Sequence, residues 1–138
     1  MKIFTIDYGK KRVGLAVSDP AEQIALALPI YQWQDDGNDA ARLAELALEQ
    51  EAEEIVVGLP INMDDSIGPA AQRVLDFVEE LKAFVSVPIV TWDERLSSAE
   101  AEDRLRGVEL GHKKKREHIN TVAAQVILET YMQNRRTR

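Results

Sequence analysis

Ile3-Phe4-Thr5-Ile6-Asp7-Tyr8-Gly9 is a strand pattern that ends on an acid and a glycine. Lys10-Lys11-Arg12 follows at once and leads into a second strand pattern, Val13 to Ser18. Two such runs joined by a short polar turn predict a β-hairpin. The chemistry of the turn is more specific than its shape. A carboxylate at the end of a buried strand has a fixed position, and the glycine beside it lets a ligand backbone come close. Three consecutive cations can neutralise phosphates. Alone, Asp-x-Gly is a weak signal, and the solvated tip of an ordinary hairpin is the simpler account.

The pattern continues outward from this hairpin. Residues 24–33 are apolar enough to be a third antiparallel strand, and Asp35-Asp36-Gly37-Asn38 ends it. Asn38 is placed to cap a helix running to Glu51, with Leu43, Leu46 and Ala47 on its buried side. Glu54-Ile55-Val56-Val57-Gly58-Leu59-Pro60 reads as a buried parallel strand. After a loop over 61–68, Pro69 opens a second helix. Val74, Val78 and Leu81, flanked by Phe77 and Phe84, form its stripe. Residues 87–92 form a fifth strand that ends at Asp93-Glu94-Arg95. Ser97 with Glu100 makes a capping box for a short helix to about residue 106. A polar loop over 107–115 precedes a last helix from about 116 to 134. The order βββαβαβαα implies an α/β fold, a mixed five-stranded sheet with helices on both faces, in one domain of 138 residues.

Composition narrows the class. With 45% hydrophobic residues the chain can bury a core, and with no cysteine it has neither disulfides nor thiolate metal sites. A strand pattern so near the start leaves no room for a signal peptide, and no apolar run reaches membrane-spanning length. A cytoplasmic protein without a membrane partner is expected. The net charge of −7 is unevenly spread: between Asp35 and Glu54 eight acids face one base, Arg42, which accounts for the whole of it. A solvated helix face explains that stretch. Elsewhere, bases gather in residues 1–18 and 104–116, and a local basic surface can hold a polyanion despite a negative sum.

Strand ends on one edge of such a sheet lie near each other. Asp7 ends the first strand, and Asp93 and Glu94 end the fifth. Alternation prevents Asp93 and Glu94 from pointing the same way, so only one is a primary ligand. Asn120 falls at the margin of the last helix's apolar stripe, before Ala123-Ala124, where a polar residue faces the sheet or bonds to it. Asp7, Glu94 and a carboxylate at position 120 would form a hard oxygen cluster suited to Mg²⁺ or Mn²⁺. Two such ions roughly 4 Å apart activate water and stabilise the leaving oxygen in phosphodiester hydrolysis. Asparagine offers only a neutral carbonyl.

With these residues assembled, the chain resembles the YqgF family, also called RuvX, of Holliday-junction-resolvase-like proteins in the RNase H-like superfamily. The resemblance rests on four motifs in order over nearly the whole chain. They are Asp7-Tyr8-Gly9 with Arg12-Val13-Gly14-Leu15-Ala16-Val17-Ser18, and Ile55-Val56-Val57-Gly58-Leu59-Pro60-Ile61-Asn62-Met63-Asp64. Asp93-Glu94-Arg95-Leu96-Ser97-Ser98-Ala99-Glu100-Ala101 and the helix Ala123-Ala124-Gln125-Val126-Ile127-Leu128-Glu129 complete them. The resemblance implies an RNase H-like fold and a divalent-metal nuclease site. In that site Asp7 is the first acid, Asp93-Glu94 the strand-five pair, and position 120 the last-helix acid. The family has Asp where this chain has Asn120, which implies either a chain that has lost activity or a deliberate inactivation. The family is associated with processing the 5′ end of pre-16S ribosomal RNA and with resolving branched DNA, so structured RNA or branched DNA is the implied partner. Junction resolution needs two sites, which would require a homodimer.

Lys10, Lys11 and Arg12, with Lys113, Lys114, Lys115 and Arg116, are the expected contacts to a nucleic-acid backbone. Arg95 can hold a phosphate or the neighbouring carboxylate. His112 and His118 lack metal-ligand spacing. Arg135, Arg136 and Arg138 read as a frayed tail, and Trp33 and Trp92 as core. Asn62-Met63-Asp64 is a polar turn or part of a substrate groove. Two rival functions remain: a non-catalytic nucleic-acid-binding factor in ribosome assembly, and a phosphate-loop protein of the actin and sugar-kinase type. A chain of this length lacks the second lobe that the latter needs.

Overall fold

Alternation along the first strand divides the molecule into two layers. The computed structural model describes residues 1–97 and 112–136, with the backbone alone for 112–120. Strand β1 (Ile3–Tyr8) lies at the centre of a five-stranded sheet with β2 (Arg12–Ser18), β3 (Ala25–Gln32), β4 (Glu54–Leu59) and β5 (Ile89–Asp93). Their order is β3-β2-β1-β4-β5. The β1–β2 and β2–β3 pairs are antiparallel, while β4 pairs in parallel with β1 and β5. This is the mixed α/β sheet expected from the sequence.

Phe4 and Ile6 of β1 face one side, together with Val13, Leu15, Ile55, Val57 and Leu59. Helices α1 (Asp39–Glu49) and α2 (Pro69–Lys82) cover that side with Leu43, Ala44, Ala47, Val74, Phe77, Val78 and Leu81. Ile3, Ala16 and Val56 face the other side, beneath Ala124, Ile127, Leu128, Tyr131 and Met132 of the long helix α3 (His112–Arg136). The inner strands β1, β2 and β4 are therefore apolar on both faces, as buried central strands require.

Polar contacts pin α3 to the sheet. The Tyr131 hydroxyl donates to Glu54 Oε1 at 2.6 Å in a buried position. Trp92 Nε1 donates to Thr130 Oγ1 at 3.2 Å, and the Ser97 hydroxyl meets the same oxygen at 2.8 Å. Ser18 Oγ accepts from the Ile3 amide at 2.8 Å and fixes the start of β1. Arg135, expected as a frayed tail, instead pairs with Glu22 at 3.0 Å.

The structure differs from the sequence reading in three further places. Helix α3 begins at His112, so 112–115 are helical rather than loop. After Gly111 no Gly or Pro opposes a helix, and Lys and Arg favour one. Asn38 stands at the N-cap of α1 without a side-chain cap bond; Asp39 instead accepts the Gln34 and Asp35 amides at 3.0 and 3.1 Å. Phe84 lies beyond the end of α2 and is exposed. The expected short helix after Ser97 and the loop up to Gly111 lie outside the described residues. Among the described residues, no helix is long and apolar enough to cross a membrane.

The buried Tyr131–Glu54 bond gives a direct test. Tyr131→Phe leaves the Glu54 carboxylate without this donor and should cost about 1–3 kcal/mol in urea unfolding, with an unchanged far-UV spectrum. A change below about 0.5 kcal/mol would contradict the pinning role.

Candidate active site

The C-terminal end of β1 holds Asp7 on the α3 side of the sheet, opposite Gly14 of β2. In the neighbouring β4, Gly58 pairs with Trp92 of β5. A Cβ added at Gly58 would stand 2.6 Å from Glu94 Oε1 and 2.9 Å from Ile127 Cδ1. Gly58 is thus the space into which the Glu94 carboxyl folds. Glu94 opens a single 3-10 turn (Glu94–Leu96) at the end of β5, which turns its side chain back over the sheet. There it is hydrogen bonded to Asp7.

Two carboxyl groups can share a hydrogen bond only if one carries a proton. Burial raises Asp7 above the ordinary carboxylate range, and the bond with Glu94 pulls in the opposite direction. Burial, then the Asp7 charge, the Asp7 bond and the Asp93 charge, push Glu94 up to about 8. The pair therefore keeps a proton near neutral pH, because burial disfavours both anions, they repel each other and, among the described residues, no cation pairs with either. A hard divalent cation would relieve that repulsion and displace the proton. Among the described residues the donor set fits such an ion: two convergent carboxylates with no sulfur or imidazole. Among the described residues it comprises two acids, and no group of three or more His, Cys, Asp or Glu is present.

The structure separates Asp93 from this pair. Its carboxylate accepts from Arg95 Nε at 3.0 Å and Arg95 Nη2 at 2.7 Å, and from the Arg95 amide at 2.9 Å. The Arg95 side chain lowers the Asp93 pKa. Of the expected acid pair, Glu94 meets Asp7 while Asp93 faces Arg95. Arg95, expected to hold a phosphate or the neighbouring carboxylate, also donates through Nη1 to Asp65 Oδ1 at 2.8 Å and to the Asn62 carbonyl at 3.1 Å. It ties the 62–66 loop to the end of β5.

Lys10 and Lys11 are exposed at the hairpin tip. Arg12 lies two residues along β2 from Gly14, on the Asp7 face by alternation. Its Nη1 is buried with no hydrogen-bond partner. Such an orphan donor awaits an anion or water. Asn120, Lys113, Lys114, Lys115 and Arg116 lie on the first turns of α3, and their side chains are outside the described residues. The sequence reading missed Gly58 and Asp65. The signal for Gly58 was a glycine interrupting an apolar strand, a mark of close approach. Asp65, in a polar loop, had none.

The chain resembles known proteins in sequence and in fold. The model of the RuvX family, described as a Holliday junction resolvase, matches residues 1–134. A protein of Thermoanaerobacter pseudethanolicus, named "Putative pre-16S rRNA nuclease", is 37% identical over 139 residues, covering 100% of both chains. A protein of the same name from Listeria monocytogenes is 40% identical over 134 residues, 96% of this chain and 97% of the other. Among solved structures, Thermus thermophilus RuvC in complex with a Holliday junction substrate superposes with a TM-score of 0.63. It is 16% identical and covers 99% of this chain and 96% of that one. The Fowlpox virus resolvase bound to Holliday junction DNA gives 0.58 at 11% identity, with 97% and 98% covered. At these identities the two structures show the shared RNase H-like fold.

The shared proton has a measurable sign. Glu94 ordinarily titrates near 4.5 and in the folded chain near 8, so between these values the native state binds more protons than the unfolded state. Stability must then fall as pH rises. In the presence of a chelator, the melting temperature should drop from about pH 5 to about pH 8. Glu94→Gln should flatten that drop, and equal slopes in both proteins would contradict the shared proton.

Proposed function

The chain belongs to the RuvX family, and from that premise we propose that it is a divalent-metal-dependent nuclease that hydrolyses phosphodiester bonds. The observation that carries this reading is the Asp7–Glu94 pair, two half-buried residues whose carboxyls are held together at a sheet end with Gly58 cleared for them. In the proposed site Asp7 and Glu94 hold Mg²⁺ or Mn²⁺, and position 120 supplies the third donor. The bound metal would supply a water nucleophile at neutral pH and charge stabilisation of the leaving oxygen. Lys10, Lys11 and Arg12 bind substrate phosphates and position the strand, with Lys113, Lys114, Lys115 and Arg116 as further contacts. Asp93 orients Arg95 and through it the 62–66 loop beside the site.

The substrate we propose is structured RNA at the 5′ end of pre-16S ribosomal RNA, branched DNA, or both. The names of the relatives support the first, and the family description the second. Cleavage of a four-way junction would further require two copies of the chain. Asn120 favours a second reading, a non-catalytic nucleic-acid-binding factor, because an asparagine removes one of the negative charges that would balance the metal.

The two readings separate in one experiment. Mn²⁺-dependent cleavage is measured on a four-way DNA junction, single-stranded DNA and 5′-extended ribosomal RNA, for this chain and for Asn120→Asp. The nuclease reading expects cleavage by Asn120→Asp, and its loss to background when Asp7→Ala or Glu94→Ala is added. No cleavage by any form, with salt-sensitive binding retained, would establish the binding factor instead. Lys11→Ala should lower the slope of log affinity against log salt by about 1, as removal of one phosphate contact requires.

A further inference from the structure

On the opposite face of β1 from Asp7, at the same end of the strand, lies a cavity of about 310 Å³. That volume falls in the range of small-ligand sites, roughly 300–1,000 Å³. Its floor is aromatic. Tyr8 packs on Trp33 with centroids 5.0 Å apart and on Phe77 at 5.2 Å, and Trp33 meets Phe77 edge-on at 5.9 Å. Trp33 Nε1 donates to the Gly9 carbonyl at 2.7 Å, which ties this floor to the turn that follows Asp7.

The mouth is polar and unsatisfied. Lys10 and Arg73 bring cations, Asp35 and Glu80 bring carboxylates, and all four are exposed. No hydrogen bond or ion pair among the described residues engages their side chains, whereas two further acids of the lining are occupied. Asp39 accepts from the Tyr31 hydroxyl, and Asp76 accepts from Gln72 Nε2 at 2.9 Å. Burial above all, with Glu80, Asp35 and Asp76 opposing the pull of Arg73, raises the Tyr8 pKa, so its hydroxyl stays a neutral donor. An aromatic floor beneath two free carboxylates and two free cations is not a phosphate site, because the acids of its lining outnumber the cations. It matches a planar ligand with adjacent donors on one edge and adjacent acceptors on another.

We propose that this cavity binds a single nucleobase of the substrate, with guanine preferred. Guanine offers the N1–H and N2–H₂ donors to Asp35 and Glu80, and the O6 and N7 acceptors to the fork of Arg73. The base stacks against the exposed part of the Tyr8 and Trp33 rings. Uracil, adenine and cytosine each lack the paired donors, and adenine also presents its N6 donor where guanine has the O6 acceptor. Tyr8 follows Asp7 directly, and alternation sends the two to opposite faces of one strand. A nucleotide chain that rounds the end of β1 would place one base in the cavity while a neighbouring phosphate lies at the acid pair. The proposal rests on the nuclease reading for its polymer and extends it from a reaction to a base preference.

The test uses fluorescence anisotropy in a chelator, so that no cleavage occurs. The probes are eight-residue RNAs of uridine alone, or of uridine with one central guanosine, adenosine or cytidine. The guanosine probe should bind this chain about tenfold more tightly than the uridine probe, the increment of a bidentate base contact. The double variant Asp35→Asn with Glu80→Gln should lose that increment while uridine binding persists. Both positions are on the surface, and circular dichroism verifies that the variant is folded. Equal binding of all four probes, or a guanosine increment that survives the double variant, overturns the cavity assignment and leaves the nuclease reading standing. Absence of binding to every probe likewise overturns the cavity assignment, while the Mn²⁺ cleavage panel decides the nuclease reading separately.

Discussion

Everything in the proposed site depends on one awkward contact: two half-buried carboxyl groups set against each other at the end of the central strand. Burying like charges is unfavourable, and the chain accommodates it with a shared proton rather than a basic partner. Arg95, the residue after Glu94, is committed to Asp93, Asp65 and the Asn62 carbonyl. A structural ion pair would have placed that arginine between the acids. Its diversion leaves an acid pair that a divalent ion satisfies better than a proton does. Gly58 is the complement of this arrangement, since any side chain there would collide with Glu94.

The layers of the fold serve the same pair. The parallel β1–β4–β5 pairing brings the ends of β1 and β5 to one edge of the sheet with β4 between them. Helix α3 closes over that face with Ile127 against Gly58, and its lower turns are held by Tyr131–Glu54 and Trp92–Thr130 bonds. The acidic residues of the 35–54 segment belong to α1 and its flanks, which cover the other face. Glu54 is the exception: it lies on the α3 face, bonded to Tyr131.

Much of this was legible in the sequence, for identifiable reasons. The strands declare themselves through apolar runs bounded by Gly, Pro and Asp, and their mixed order follows from a meander succeeded by two βα crossovers. The convergence of Asp7 with the end of β5 follows from topology alone. Which of Asp93 and Glu94 would face Asp7 was not legible, because it depends on a 3-10 turn and on the Arg95 clamp, both set by tertiary contacts. The start of α3 was placed late because a run of lysines resembles a loop in composition while favouring a helix in propensity. The aromatic cavity was hidden because Trp33, read as core, is both packed and half-exposed, a distinction that only the assembled layers make.

The account turns on the acid pair as a metal site, and anomalous X-ray diffraction from crystals soaked in Mn²⁺ tests that most directly. It predicts an anomalous peak coordinated by the carboxylates of both Asp7 and Glu94, with the hydrogen bond between them broken. Manganese bound only elsewhere, with that hydrogen bond intact, would contradict it.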